Sequence, residues 1–322
     1  MVQEIAPNLF QIEVPLPNSP LKYLNSYVVQ SKQRNLIIDT GLNSKTCLDA
    51  MNAGLRHLGI DLASTDFFIT HLHADHFGLL SKLATPTSTV YFNRPDAEII
   101  EAKGWWEPML KAAAENGFPE DQLRKAIEKH PGYKHSSDWI PDLNILNDGD
   151  LITVGDYIFR CVHTPGHSMG HTCLYEADKK LFIAGDHILI DISPNIQCWY
   201  EGRNPLGDYI HSLDRVFDLD IKLVLPGHRR LIHDHKARII ELKQHHEARC
   251  KEILEILTHG ALTAYDVAAQ MSWDIKCDSW AQFPIAQKWF ATGEAIAHLH
   301  YLEAQGEVRR DMNNDQYFFR LL

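Results

Sequence analysis

The segment His71-Leu72-His73-Ala74-Asp75-His76 puts four metal-competent side chains into six residues, directly after the apolar run Phe67-Phe68-Ile69-Thr70. A strand that ends in such a cluster has few uses. In extended or turning backbone, residues two apart point to one side, so His71, His73 and Asp75 converge. His76 adjoins them and faces a neighbouring point. Four donors exceed what one tetrahedral ion takes from a single segment, and match what two adjacent ions share. Imidazole and carboxylate without thiolate suit zinc, and also iron or manganese.

Four further pieces occur at expected strand ends: Asp39, Pro165-Gly166-His167, Gly185-Asp186 and Pro226-Gly227-His228. His167 can complete a three-histidine set on one ion. His228 can complete an Asp–His–His set on the other. Asp186 has two oxygens and can bridge both. Two divalent ions roughly 3.5–4 Å apart clamp attacking and leaving oxygens, and lower the pKa of bound water from about 15.7 to about 7. The chemistry expected is a dinuclear hydrolase with a metal-bridging hydroxide, with Asp75 and Asp186 as its catalytic carboxylates.

The pattern between these pieces is α/β. Strands are expected at Leu9 to Val14, Tyr27 to Val29, Leu36 to Ile38, Phe67 to Thr70 and Thr89 to Phe92. A second run covers Leu151 to Val154, Tyr157 to Val162, Thr172 to Tyr175, Leu181 to Ala184 and Lys222 to Leu225. Leu48, Met51, Leu55 and Leu58 recur at helical spacing. Two packed sheets with helices outside follow from two strand runs flanked by helices. Residues 94 to about 140 interrupt the rhythm as a helical insertion rich in bulky side chains. After about residue 236 the texture is helical: Ile239 to Leu257, a capping box at Thr263, and a helix between Pro284 and Gly306. A β-hairpin is expected at Val308 to Leu322, with Asn313-Asn314 at its centre. A catalytic domain over 1–236 and a winged-helix-like domain over 237–322 are expected.

Composition narrows the partners. With 31 Lys+Arg against 42 Asp+Glu the net charge is −11, which disfavours nucleic acid. Hydrophobic residues make up 45%, enough for a sizeable core. The six cysteines form no CxxC pair and no disulfide framework, so buried free thiols are expected. The start lacks a basic n-region followed by an apolar run, and no stretch reaches transmembrane length. A cytoplasmic protein without membrane contact, acting on a small molecule, is the resulting expectation; a homodimer is compatible with it.

The motif series resembles the metallo-β-lactamase superfamily, in its glyoxalase II-like and β-lactamase-like protein 2 branch. The likeness runs over residues 1 to about 236, and Thr164-Pro165-Gly166-His167-Ser168-Met169-Gly170-His171 is particularly similar to that branch. The tail resembles the winged-helix domain that follows in β-lactamase-like protein 2. The resemblance implies a four-layer αββα sandwich. It implies that His71, His73 and His167 hold one ion, that Asp75, His76 and His228 hold the second, and that Asp186 bridges. Asp39 matches the family's first motif and would orient the histidine loop. Arg229-Arg230 follows His228 where these families often have glycine.

Several other residues are candidates for substrate contact: His187, Tyr200, Arg229, Trp105 and Trp106. Met109 and Phe118 fit a pocket or helix packing equally well. His171 is expected to make a structural hydrogen bond, because His167 already fills the ligand position. The leading activity is hydrolysis of an ester, thioester or lactone. Metal-dependent endoribonuclease or phosphodiesterase action is the alternative, and iron-dependent oxygen chemistry a weaker one. Against RNA, the helix after Pro284 is expected to expose Gln287, Lys288, Glu294 and Glu303, a face unsuited to reading nucleic acid.

Overall fold

The computed structural model describes residues 1–17, 19–102, 106–135 and 141–322. Four strands open the chain, β1 (Val2–Ala6), β2 (Leu9–Pro15), β3 (Tyr23–Val29) and β4 (Asn35–Ile38), followed by helix α1 (Lys45–Leu58). Next come β5 (Thr65–Phe68), α2 (Ala74–Phe77), α3 (Leu80–Leu83), β6 (Val90–Asn93) and α4 (Arg94–Glu101). Helices α5 (Trp106–Glu115), α6 (Glu120–Lys129) and α7 (Pro131–Lys134) lead to β7 (Leu143–Leu146), β8 (Leu151–Val154), β9 (Tyr157–His163), β10 (Thr172–Glu176) and β11 (Leu181–Gly185). The chain ends with α8 (Pro205–Phe217), β12 (Leu223–Pro226), α9 (His235–Leu257), α10 (Ala264–Gln270), α11 (Ile285–Ala304) and the hairpin β13 (Val308–Asn313) and β14 (Gln316–Leu321).

Two compact units result. The first takes the described parts of Met1–Ala102, His135–Pro194 and Ser212–Ile239; the second takes those of Lys103–Lys134, Asn195–His211 and Ile240–Leu322.

The first unit holds two mixed sheets. One has the order β1-β2-β3-β4-β5-β6-β7, antiparallel through β4 and parallel from β4 onward. The other has the order β12-β11-β10-β9-β8, with only β11 and β12 parallel. Parallel neighbours need crossovers, and α1 supplies the one between β4 and β5. Ser44 caps α1 by accepting the Cys47 N–H, and Cys47, Met51 and Leu55 turn inward. They pack with Ile12, Val14, Ile37 and Phe67 on one face of the larger sheet. On its other face Leu9, Tyr27, Val29, Leu36, Ile38 and Phe68 meet Phe159, Cys161, Leu174, Ile183 and Leu225 of the smaller sheet. β4, β5, β10 and β11 are buried at every position, as strands covered on both faces must be. Strands β1 and β7 add to the expected set. Both are edge strands of the larger sheet, partly exposed and without clean alternation.

In the second unit Trp289 of α11 is fully buried, stacks on Trp199 at 4.1 Å and meets Phe118 edge-on at 5.9 Å. Thr263 and Asp266 form the capping box that starts α10. The hairpin turns on Asn314 and Asp315, both at positive φ, one residue later than expected. Asn and Asp tolerate this left-handed backbone, as such turns require. Helix α11 corrects one expectation: Lys288 is buried and none of Gln287, Glu294 and Glu303 is exposed. The helix is enclosed by α6, α10 and β13, and Glu294 accepts a hydrogen bond from Asn195 Nδ2 at 2.9 Å. The cysteines are free; Cys47, Cys161, Cys173, Cys198 and Cys250 are buried and Cys277 is exposed. Among the described residues no helix is long and apolar enough to cross a membrane.

Candidate metal centre

Parallel strands release their loops at a common end, and ligand sites gather at those carboxyl ends. In the first unit every singled-out piece follows a strand: Asp39 after β4, His71 to His76 after β5, His167 after β9, Asp186 after β11 and His228 after β12. A backbone bond from Thr172 N to Thr70 O joins the two sheets beside this end at 2.9 Å, and Gly227 N donates to Gly185 O at 2.7 Å.

The loops converge. His71, His73 and His167 form one group; Asp75, His76 and His228 form a second; His71, His76 and Asp186 form a third. Within each group the ligand atoms lie within 4.8 Å of one another. Asp186 stands at the centre. Its Oδ1 is 3.6 Å from His76 Nε2, and its Oδ2 is 3.5 Å from both His167 Nε2 and His228 Nε2.

Hydrogen bonds behind these side chains set which nitrogen faces inward. Thr70 donates its hydroxyl to Asp39 Oδ2 at 2.9 Å, so Thr70 Oγ1 accepts from His71 Nδ1 at 2.9 Å. That turns the lone pair of His71 Nε2 into the pocket, 2.9 Å from His73 Nδ1. His76 Nδ1 donates to Asp39 Oδ2 at 2.7 Å, and His228 Nδ1 donates to Tyr23 O at 2.8 Å. The His76 and His228 rings therefore turn Nε2 toward Asp186. Fixing a ligand's tautomer through its second nitrogen is how metal sites orient imidazoles.

His171 is structural, as expected. Its Nε2 accepts the Asp186 N–H at 3.1 Å and its Nδ1 donates to Thr164 Oγ1 at 2.8 Å. Gly185 lies directly against it: at φ +48 a Cβ would sit 2.8 Å from His171 Nε2 and from Thr70.

The charges are those of a cation site. Burial, with His76, His73 and His167 close by, holds the His71 imidazole well below its ordinary range. Burial and His167 pull His73 down to about 3. Burial would lower His228 too, but the Asp186 and Asp75 carboxylates outweigh it and push it up to about 10. His76 is likewise raised against burial by Asp39, Asp186 and Asp75. Burial opposes ionisation of Asp186, yet His228 and His76 keep its carboxyl well below the usual range.

These residues fit a metal. His76 Nε2, His228 Nε2 and Asp186 Oδ1 are buried and make no hydrogen bond. Buried polar atoms without partners are costly, at about 1–3 kcal/mol each, unless a ligand satisfies them. An acidic, imidazole-rich pocket with inward lone pairs calls for a divalent cation.

The residues expected to meet substrate fall in both units. Arg229 donates to Pro20 O at 2.9 Å, and Arg230 pairs with Asp191 at 2.9 Å. His187 is fully buried, and burial with His167 nearby brings it down to about 3. Trp106 lies in the second unit and contacts His130 and Tyr133 edge-on. Tyr200 is in the same unit, its carbonyl accepting from Cys198 Sγ. Trp105 lies outside the described residues.

Asp96 is a residue that sequence reasoning misses. It is fully buried in the first turn of α4. Its Oδ2 accepts from Leu72 N at 3.0 Å and Ser168 Oγ at 2.8 Å, and its Oδ1 from Gly170 N at 2.7 Å. Burial raises it to about 6 despite those bonds. An acidic residue in a helix's first turn is ordinary, and nothing in the sequence distinguishes this one.

Residues 21–228 match the profile of the metallo-beta-lactamase superfamily. The chain belongs to this superfamily. The fold agrees with the membership: a metallo-β-lactamase family protein of Thermus thermophilus superposes with a TM-score of 0.83 at 28% identity, covering 99% of this chain and 100% of that one. Residues 250–320 match the C-terminal domain of metallo-β-lactamase-like proteins, so a small C-terminal domain follows the metallo-β-lactamase fold. The lactamase-like protein adaB of Aspergillus niger is 26% identical over 239 residues, which are 74% of this chain and 59% of adaB. The acyl-coenzyme A thioesterase MBLAC2 of Homo sapiens is 28% identical over 226 residues, 63% of this chain and 72% of that protein. Members of the superfamily are generally metal-dependent hydrolases, and the histidine–aspartate groups described above fit that chemistry.

Proposed function

We propose that this metallo-β-lactamase superfamily member is a dinuclear hydrolase of carbonyl substrates, acting on a thioester, ester or lactone. The observation that carries the reading is Asp186. Its oxygens lie 3.5–3.6 Å from His167 of one group and from His76 and His228 of the other. One carboxylate between two ligand groups is what a pair of neighbouring ions needs. His71, His73 and His167 would hold one ion; Asp75, His76 and His228 would hold the other. Imidazoles and carboxylates without a thiolate favour zinc, with iron or manganese compatible.

When bound, such ions acidify water from about 15.7 to about 7 and polarise a carbonyl oxygen. The chain's own residues do the remainder. Asp39 and Thr70 keep His71 and His76 in the tautomer that faces inward. Asp75 is ionised, held well below the usual carboxylate range against burial by His76 and His228. It is only partly buried, and besides ligating it would steer the proton of the attacking water. The likeness to an acyl-coenzyme A thioesterase favours a thioester among the carbonyl substrates. The small C-terminal domain, three helices and a hairpin, is proposed to be winged-helix-like.

The test is a hydrolysis panel of acyl-coenzyme A thioesters, lactones, nitrophenyl esters, phosphodiesters and single-stranded RNA, each run with and without chelator. Carbonyl hydrolysis that chelator abolishes and zinc restores is expected. Cleavage confined to phosphodiesters or RNA, or turnover indifferent to chelator, rejects the reading.

A further inference from the structure

Two loops from different sheets carry the three-histidine group. One holds His71 and His73 after β5; the other holds His167 after β9. The rings of His71 and His73 stand 4.9 and 4.6 Å from that of His167, edge to face. Such contacts between small polar rings are too weak to hold two loops in register, and the Thr172 N–Thr70 O bond joins only the strand ends behind them, so the loops themselves need a further tie.

We propose that Asp96 is that tie: a positioning residue whose buried carboxylate fastens the His71–His73 loop to the His167 loop and sets the spacing of the three imidazoles. The donors are placed for it. Leu72 N–H lies between His71 and His73 in sequence, so its bond to Oδ2 fixes the His71–Leu72 peptide plane within the loop that carries both rings. Ser168 Oγ and Gly170 N follow His167 closely, and they take Oδ2 and Oδ1 respectively. Gly166 N donates to Ser168 O at 3.0 Å, closing the turn around His167 on the same anchor. Asp96 itself is immobilised: Asn93 caps α4 by accepting the Asp96 N–H at 2.8 Å. Residue 170 must be glycine for this approach, because a Cβ there would overlap the Asn93 carboxamide and lie 2.9 Å from Asp96 N.

A carboxylate suits the role better than an amide. It presents acceptors only, and all three groups facing it are donors. Asparagine has a single acceptor oxygen, and its own N–H₂ would be set against a donor. The consequence for metal rests on the dinuclear reading above, and predicts a selective defect in the three-histidine group. Supporting partners of metal ligands typically change affinity by about 10–100-fold.

Two measurements on the full-length chain test this, using Asp96→Asn and Ser168→Ala. Hydrogen–deuterium exchange on the metal-free proteins reads the tie. Asp96→Asn should raise exchange at the Leu72 and Gly170 amides and leave α1 and β9 unchanged. Zinc competition against a chromophoric chelator, with cobalt absorption spectra, reads the consequence. The affinity of the three-histidine group should fall about 10–100-fold, while the Asp75–His76–His228 group stays within about threefold. Ser168→Ala keeps the carboxylate but removes one of its three donors, so it should loosen the other two and give the same pattern at smaller amplitude; it decides the matter if Asp96→Asn does not fold. Unchanged exchange at both amides, or equal weakening of both groups, overturns the proposal. Wild-type protein that takes up no zinc rejects the metal reading instead, and the exchange data then still decide whether Asp96 joins the loops.

Discussion

Asp39 Oδ2 accepts the Nδ1 proton of His76 at 2.7 Å, and both side chains are buried. The same oxygen accepts the Thr70 hydroxyl, while Oδ1 accepts the Thr70 N–H. One carboxylate thereby fixes the start of the histidine loop and the tautomer of its last histidine. Asp39 sits at φ 59, a left-handed backbone that Asp and Asn tolerate better than other side chains. Asp39→Asn therefore keeps the backbone and loses one acceptor. It should lower metal affinity by about 10–100-fold, chiefly in the Asp75–His76–His228 group. Alanine should cost additional stability through backbone strain of about 1 kcal/mol. Metal titration of Asp39→Asn with unchanged affinity would contradict this role.

Metal loading should be linked to pH and to stability. In the metal-free chain His76 and His228 are raised, His228 to about 10 by Asp186 and Asp75 after burial is overcome. A raised folded pKa stabilises the fold fully below the unfolded value, about 6.5, and that contribution is lost as pH rises through the folded value. The chelated protein should therefore lose stability between about pH 6.5 and about pH 10. Metal must displace these protons, so its apparent affinity should rise over the same window. Calorimetry in buffers of different ionisation enthalpy should register proton release near neutral pH, and thermal melts should show a higher Tm with zinc. At metal concentrations of about 1,000 Kd the gain is about 4 kcal/mol. No proton release and no change of Tm would contradict the linkage.

How far the site was legible follows from where its residues sit. His71, His73, Asp75 and His76 are nearly consecutive, and His167, Asp186 and His228 each follow an apolar strand, so local pattern alone brings them forward. Strands β1 and β7 were illegible because each forms a sheet edge and buries too little to impose alternation. Asp96 was illegible for another reason: its three donors come from two distant loops, and only the folded chain brings them together. The surroundings of Glu294 show the same limit. Its helix reads as having a polar outer face, and the second unit wraps that face with segments far apart in sequence.

Gly185 tests the tight seam behind Asp186. Its φ is +48, and a Cβ would lie 2.8 Å from His171 Nε2 and from Thr70 Oγ1. Both neighbours are buried and held, Thr70 by Asp39 and His171 by Thr164, so neither can retreat freely. Gly185→Ala combines left-handed strain with overpacking, which typically costs about 1–3 kcal/mol. It should also displace the Asp186 N–H from His171 and weaken metal binding. Denaturant unfolding of the metal-free variant separates the two effects: a stability equal to wild type would show that the seam has room.

A last prediction concerns a pair away from the metal groups. Arg34 Nε and Nη2 donate to Asp66 Oδ2 and Oδ1 at 2.8 and 2.7 Å, and Thr89 N donates to the same Oδ1 at 2.8 Å. Burial opposes the Asp66 charge, but these bonds outweigh it and lower its pKa. A depressed carboxylate stabilises above its unfolded pKa, about 3.9, and the contribution is lost as pH falls through the folded value. Arg34 is 40% exposed, so solvent screens part of the attraction. Asp66→Asn should cost about 1 kcal/mol at neutral pH, and the difference from wild type should shrink below about pH 4. Urea unfolding at about pH 7 and about pH 3, on either side of the unfolded carboxylate value, checks both halves. An equal loss at the two values would show that hydrogen bonding without charge joins β4 to β5 at this point.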